Sequence, residues 1–473
     1  MAALSACERT DPTGPARVPG SASRSVSLDN FPTHEEAEAL RQLAATHNIT
    51  QLGRPAPVRK ELVSLGQALL FDPILSGNKD IACMTCHLPG FATGDARNLS
   101  IGQGGTGLGP NRILGRGFVI PRNAPSLFNL TSLTALFWDG RVSQDPDGSF
   151  HTPAKAQLSP QMASVFEFGP SSAIGLFPVT SRTEMRGFVG GATTLGLPHL
   201  GNELALIADT NFTGIWSALM TRLGAIPEYR KMFEAAYPGT PFNSMTFAHA
   251  TNAMAGFMAE RLSFNNSPWD KFLAGVDTAL TSNEVGGGTL FMNKKCAGCH
   301  SGPAFSDSKF RNVALAQFGP GQGNGPSGRD DFGRMNVTGL ATDKYLFRTP
   351  ALRNVALTFP YGHAGEFATL KGFVDHYSDV DTKLANYDIT QIDPSLRGTL
   401  LANTADILST RAGGLVGLVI SGDEVTSITA YLNKLTDPAA TDLRALTPSK
   451  VPSGLGVVGG PLPIGHPIPL TNP

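Results

Sequence analysis

The sequence predicts a mainly α-helical protein built as two related halves with long ordered loops. Three observations predict it. A Cys-x-x-Cys-His motif occurs twice, at Cys83–His87 and at Cys296–His300. Apolar residues recur at helical spacing behind Ser/Thr-x-x-Glu boxes, which start helices. Finally, 53 Gly and 35 Pro among 473 residues leave long stretches without periodicity. Loops of that length inside a compact chain are usually functional.

Composition excludes several classes. Hydrophobic residues are 41% of the chain, an ordinary globular share once Gly is added. Lys+Arg 37 against Asp+Glu 38 leave a net charge of −1, and no long basic run exists, so nucleic-acid binding has no electrostatic support. No run of about 20 apolar residues is present, so no transmembrane helix is expected.

The elements follow in order. Residues 1–30 read as a flexible tether, rich in Ser, Pro, Thr and Arg after residue 8. Within it, Leu4-Ser5-Ala6-Cys7 resembles a bacterial lipoprotein processing box, which makes a lipid anchor at Cys7 one expectation and a free Cys the other. Thr33 and Glu36 form a capping box for a helix over 34–46, with Leu40 and Leu43 on a partial apolar face. Val58, Leu62, Leu65 and Leu69 recur at helical spacing over 58–70, before Phe71-Asp72-Pro73. The stretch 95–125 is Gly-rich and reads as loop. It is no dinucleotide fingerprint, since no strand precedes it. Helices are expected over 213–223, 227–236 and 246–261. Ser267-Pro268-Trp269-Asp270 reads as a turn out of the first domain. Thr281 and Glu284 form a second capping box before Leu290-Phe291 and the second motif. The stretch 301–334 is again loop. Ser421 and Glu424 cap a last helix over 422–434, and Pro-rich 451–473 reads as extended. The division is thus a tether (1–30), a first domain (31–274), a second domain (275–440) and a tail (441–473).

Four of the five cysteines, Cys83, Cys86, Cys296 and Cys299, sit in the two motifs. Such pairs could be redox dithiols or half-sites for zinc. The His that follows each pair favours c-type haem attachment. Both thiols then add to the haem vinyl groups, and His87 and His300 are the proximal iron ligands. A single zinc site would need both pairs adjacent, and they lie far apart in the chain. Two covalent haems imply attachment outside the cytoplasm, hence a periplasmic, exported bacterial protein. The flanks repeat weakly: Leu70-Phe71 and Leu290-Phe291 precede the motifs, and Phe91 and Asp95, or Phe305 and Asp307, follow them.

Further segments carry a family resemblance. Phe137-Trp138-Asp139-Gly140-Arg141, Arg122-Asn123-Ala124-Pro125-Ser126, Phe347-Arg348-Thr349-Pro350-Ala351-Leu352-Arg353-Asn354-Val355 and Leu357-Thr358-Phe359-Pro360-Tyr361-Gly362-His363-Ala364-Gly365 stand in that family's order within residues 60–435. The chain resembles the bacterial di-haem cytochrome c peroxidase/MauG family. The resemblance implies two cytochrome-c-like haem domains with the active site near their interface. Haem one, on His87, would be peroxidatic, and haem two, on His300, would transfer electrons.

The same resemblance implies roles. Glu184, in a segment like the family's P-x-x-x-x-x-E-M, would be the distal acid/base, with Pro178 a wall of its pocket; a solvated surface Glu is the alternative. Trp138 would carry holes between the haems, rather than merely fill a core. Asn123, Thr358 and Pro360 match an interdomain calcium site of hard oxygens. Tyr377 matches the sixth ligand of haem two, where peroxidases use Met and MauG uses Tyr. Thr369 would cap a helix on which Leu370, Phe373, Val374 and Tyr377 share a face, so a core Tyr is the plain alternative. Met335 is the second candidate, and His376 should point elsewhere. Peroxidases of the family carry a His in the loop after the first motif, and none lies between His87 and His151 here. That departure implies an open haem one, unless His151 or His199 substitutes.

Three functions compete. The first is a MauG-like enzyme that uses H2O2 to form a high-valent haem pair and oxidises a partner protein at Trp or Tyr. The second is a cytochrome c peroxidase that reduces H2O2 with electrons from a small redox protein. The third is a non-catalytic di-haem electron carrier, against which Glu184 beside an open iron argues.

Overall fold

The structure, a computed structural model, describes residues 30–190 and 201–458. The tether with Cys7, His199 and the end of the tail lie outside the described residues. The principal helices are α1 (His34–Thr46), α2 (Lys60–Phe71), α3 (Phe212–Gly224), α4 (Pro227–Ala236), α5 (Phe247–Arg261), α6 (Ser282–Asn293), α7 (Leu370–His376) and α8 (Gly422–Asn433). The boxes at Thr33/Glu36, Thr281/Glu284 and Ser421/Glu424 all form. Each satisfies backbone N–H groups that the first helical turn leaves without partners. Helix α2 starts two residues later than its periodicity implies, and the Val58 N–H before it donates to Glu260 at 3.1 Å. The stretches 95–125 and 301–334 are loops with isolated short turns.

Both halves repeat one helix pairing. Helix α2 packs on α5, and α6 packs on α8. A glycine makes each crossing close: a Cβ on Gly66 would lie 2.0 Å from the Ala253 carbonyl oxygen, and one on Gly287 2.0 Å from that of Ser427. The two pairs cross by backbone contact that any side chain would prevent.

The hydrophobic cores do not divide the chain at residues 274 and 440. Helix α1 buries Ala37, Leu40 and Ala44 in the second core, against Trp269, Phe272, Phe291 and Tyr431. Beyond α8 the chain returns, and Ala440, Leu443 and Val451 join the first core. There the Ser453 hydroxyl donates to Asp72 Oδ1 at 2.7 Å, and Gln67 Nε2 donates to the Leu446 carbonyl at 2.8 Å. Residues 441–458 are therefore packed rather than an extended tail. Periodicity shows that a segment has an apolar face, not which core receives it.

Each half carries one small sheet of short strands. β1 (Ala135–Leu136), β2 (Val142–Gln144) and β3 (Phe150–His151) form an antiparallel meander, with Leu136 opposite Val142. β4 (Phe310–Arg311) pairs with β5 (Phe347–Arg348). Across the seam, buried Arg122 binds Asp139 at 2.6 Å and Asp331 at 2.6 Å.

Candidate functional site

Each Cys-x-x-Cys-His motif forms one tight turn. The His87 N–H donates to the Cys83 carbonyl at 3.1 Å, and the His300 N–H to the Cys296 carbonyl at 2.9 Å. Both thiols and the imidazole of each motif therefore face one cavity. His87 Nδ1 lies 2.9 Å from the Thr93 carbonyl, and His300 Nδ1 3.1 Å from that of Phe305. A carbonyl only accepts, so Nδ1 holds the proton and Nε2 keeps its lone pair for a metal. Burial lowers the pKa of both imidazoles, that of His300 to about 4. The Cys83 and Cys296 thiols are pushed by burial up to about 12, unlike a reactive redox dithiol. Among the described residues no group of three or more His, Cys, Asp or Glu could hold a metal ion.

The cavities fit haem chemically. The one at His300 measures about 550 Å³ and is walled mainly by apolar side chains such as Phe291, Leu352 and Ile428. The one at His87 measures about 180 Å³. Both are lined by Arg348, 6% exposed, whose side chain donates only to the Phe137 and Thr349 carbonyls, at 3.1 Å each. Burial alone pulls its pKa down to about 10. A buried cation without a carboxylate is costly, and a haem bound here would supply carboxylates as counter-charge. Sequence reasoning gave Arg348 no role, because an Arg in a motif does not reveal whether an acid faces it.

Glu184 lines the first cavity together with Pro178. It sits in a π-helical turn, Arg182–Arg186, capped by Ser181. Single π turns are frequent at functional sites. The turn is braced from two sides: the Gln103 N–H donates to the Thr183 and Glu184 carbonyls at 3.2 and 3.1 Å, and the Gly77 N–H to that of Met185 at 2.7 Å. Burial raises the Glu184 pKa, while Arg141 and Arg122 pull it down. Glu184 is half-buried, in the cavity wall. Among the described residues lining this cavity, His87 is the only histidine. His151 lies on the surface beside Asp145.

Trp138 and Asn123 line both cavities. Asn123, Thr358 and Pro360 share one wall of the second. The Asn123 amide nitrogen donates to the Arg97 carbonyl at 2.7 Å, which leaves its oxygen as an acceptor. The Thr358 hydroxyl donates to the Val355 carbonyl at 3.0 Å, so Thr358 offers its carbonyl.

Tyr377 caps the C-terminus of α7, which Thr369 opens by accepting from the Gly372 N–H, and it lines the cavity of His300. His376 turns away and donates from Nε2 to the Val313 carbonyl at 2.8 Å. Met335 is not among the residues lining this cavity.

Two adjoining cavities, each with a Cys-x-x-Cys-His turn and sharing an indole wall, define a di-haem protein of the cytochrome c kind. The chain belongs to the di-haem cytochrome c peroxidase family, whose profile matches residues 60–278. It is 30% identical over 343 residues to the cytochrome c551 peroxidase of Pseudomonas aeruginosa, covering 72% of this chain and 78% of that protein. It is 31% identical over 319 residues to the cytochrome c peroxidase Ccp of Escherichia coli, covering 67% of this chain and 53% of that one, so it spans about half of that relative. The methylamine utilization protein MauG of Methylorubrum extorquens is 28% identical over 323 residues, covering 68% of this chain and 69% of MauG. Among solved structures, a MauG-like protein associated with microbial copper homeostasis superposes with a TM-score of 0.54 at 24% identity, covering 83% of this chain and 95% of that one.

Proposed function

We propose that this protein is a periplasmic, H2O2-dependent di-haem enzyme of the MauG-like kind, which oxidises a partner protein at Trp or Tyr. The observation that carries the proposal is Glu184, held in a braced π turn in the wall of the His87 cavity, where His87 is the only histidine among the described lining residues. Covalently bound haem c, on Cys83 and Cys86 and on Cys296 and Cys299, would supply the irons at which peroxide is cleaved and its two oxidising equivalents are kept. Glu184 takes the proton from the near oxygen of H2O2 and returns it to the far one, which leaves as water. Its raised pKa suits a group that must both accept and give a proton. Pro178 closes the pocket beside it and cannot compete for the proton. Trp138 links the two cavities with an oxidisable ring.

Tyr377 carries the MauG-like half of the proposal, as the second axial ligand at the His300 site. Burial raises its pKa, nearby Arg311 opposes that rise, and an iron would displace the phenolic proton outright. An anionic oxygen ligand lowers a haem potential, whereas a thioether raises it. Calcium held by Asn123, Thr358 and Pro360 would tie the halves together. The second reading, a peroxidase fed by a small redox protein, is favoured by the names of the P. aeruginosa and E. coli relatives.

Stopped-flow spectra of the diferric protein mixed with H2O2, followed by mass spectrometry of a candidate partner, test the proposal. Oxidation of both haems without prior reduction, followed by a mass change on the partner, is expected. A requirement for prior reduction would favour the second reading.

A further inference from the structure

Three tyrosines line the His300 cavity: Tyr345, Tyr361 and Tyr377. Their phenols differ in what they face. Tyr377 is the proposed iron ligand. Tyr361 reaches the Ala356 backbone carbonyl at 3.4 Å, which is a poor base. Tyr345 is 1% exposed, and its hydroxyl lies 2.7 Å from Asp406 Oδ2 and 3.0 Å from Asp330 Oδ1. One phenolic proton thus faces two carboxylates. Asp330 also accepts from Asn403 Nδ2 at 2.6 Å, and Asp406 from Lys344 Nζ at 2.6 Å. The Asp406 side chain is 47% exposed, so this carboxylate opens to solvent while Tyr345 touches the cavity. Tyr345 has a φ of +60°, a left-handed conformation rare for an aromatic residue. The surrounding contacts hold it there, and such strain concentrates at functional positions.

We infer that Tyr345 is an oxidisable relay that carries a hole from the His300 haem site toward the surface, with Asp406 as its proton acceptor. The inference rests on the peroxide-driven reading above for its physiological oxidant. One electron leaves the phenol for the oxidising haem site, which is reduced by one electron. The O–H bond breaks, and its proton passes to Asp406 Oδ2, leaving a neutral tyrosyl radical. The radical then takes one electron from the protein substrate or small redox protein and recovers the proton from Asp406. A phenol with a base at hydrogen-bond distance loses its electron without forming a charged radical in a buried site, which is what the low-dielectric surroundings demand.

The test uses the haem-loaded protein and a photogenerated one-electron oxidant, tris(bipyridine)ruthenium(III), with electron paramagnetic resonance of frozen samples. A tyrosyl radical is expected in the parent, lost in Tyr345→Phe and weakened in Asp406→Asn, which keeps the phenol. Both variants should keep the diferric haem spectrum of the parent, which shows that they fold and load. A tyrosyl signal of undiminished yield in Tyr345→Phe overturns the relay. The same series with H2O2 separates the two readings. If peroxide leaves the haem spectra unchanged while the photogenerated radical still depends on Tyr345, the peroxide reading fails and the relay stands. If peroxide oxidises the haems and no radical depends on Tyr345, the relay fails and the peroxide reading stands.

Discussion

Trp138 Nε1 donates to the backbone carbonyl of Asn123 at 2.9 Å, and both residues line both cavities. The same indole residue is held from the other half of the chain, where the Arg348 N–H donates to the Trp138 carbonyl at 2.7 Å. Trp138 is therefore held at the seam from each side, its ring through Nε1–H and its backbone through the carbonyl. Trp138→Phe keeps the packing but removes the N–H and makes the ring harder to oxidise. Losing one buried hydrogen bond should cost about 0.5–1.5 kcal/mol in denaturant titration. Peroxide should still react at the His87 site, while exchange of oxidising equivalents between the sites slows in stopped-flow traces.

Glu184→Gln keeps shape and hydrogen bonding but cannot shuttle a proton. The reaction with H2O2 should slow by about 10²–10⁴. Both haems should remain by pyridine haemochrome. Because burial raises the Glu184 pKa, the parent rate should climb with pH through a midpoint above the ordinary carboxylate value, and the variant should lose that limb.

Asp95 gives a pH-dependent stability of known sign. It is 1% exposed, its Oδ2 has no hydrogen-bond partner, and burial raises its pKa to about 6. Between the unfolded value, about 3.9, and the folded one, the native state binds the extra proton. Stability from this group is therefore present at low pH and falls as pH rises toward 6. Asp95→Asn should gain stability relative to the parent over that window, by about 3 kcal/mol at most. Urea titrations at pH 4 and pH 7 measure the difference.

Arg122 serves two buried carboxylates at the seam. Burial opposes their ionisation, yet Arg141 and Arg122 hold Asp139 far below the ordinary carboxylate range. Arg122→Ala would leave Asp331 without its ion-pair partner and Asp139 with Arg141 alone, and should cost about 3–5 kcal/mol. The loss should be full above the unfolded pKa of Asp and shrink as pH falls through the lower folded value. Equilibrium unfolding at neutral and acid pH checks both magnitude and direction.

The helices and the two haem turns are legible in the sequence because their signals are local. Capping boxes at Thr33, Thr281 and Ser421, helical spacing, and Cys-x-x-Cys-His each lie within a few residues of what they build. What is not legible depends on distant partners. Helix α1 reads as part of the first domain, and only three-dimensional packing sends it to the core of Tyr431. The residues after 440 read as tail because Pro and Gly break periodicity, although Val451 and Ser453 are pinned to the first core. Glu184 is found by resemblance, but its π turn is not, since the braces come from Gly77 and Gln103. The placement of Arg348 and Tyr345 at the cavity walls has no sequence signal at all.

In the proposed function a peroxide-reactive His87 site is joined to an electron-storing His300 site with Tyr377 as ligand. Optical and paramagnetic resonance spectra of the diferric Tyr377→Phe variant test it most directly, because they need no partner protein. The account predicts a changed signal from the His300 haem, as its second axial position opens or takes water, with the His87 haem unaltered. An unchanged His300 haem signal would contradict the ligand assignment and with it the MauG-like reading.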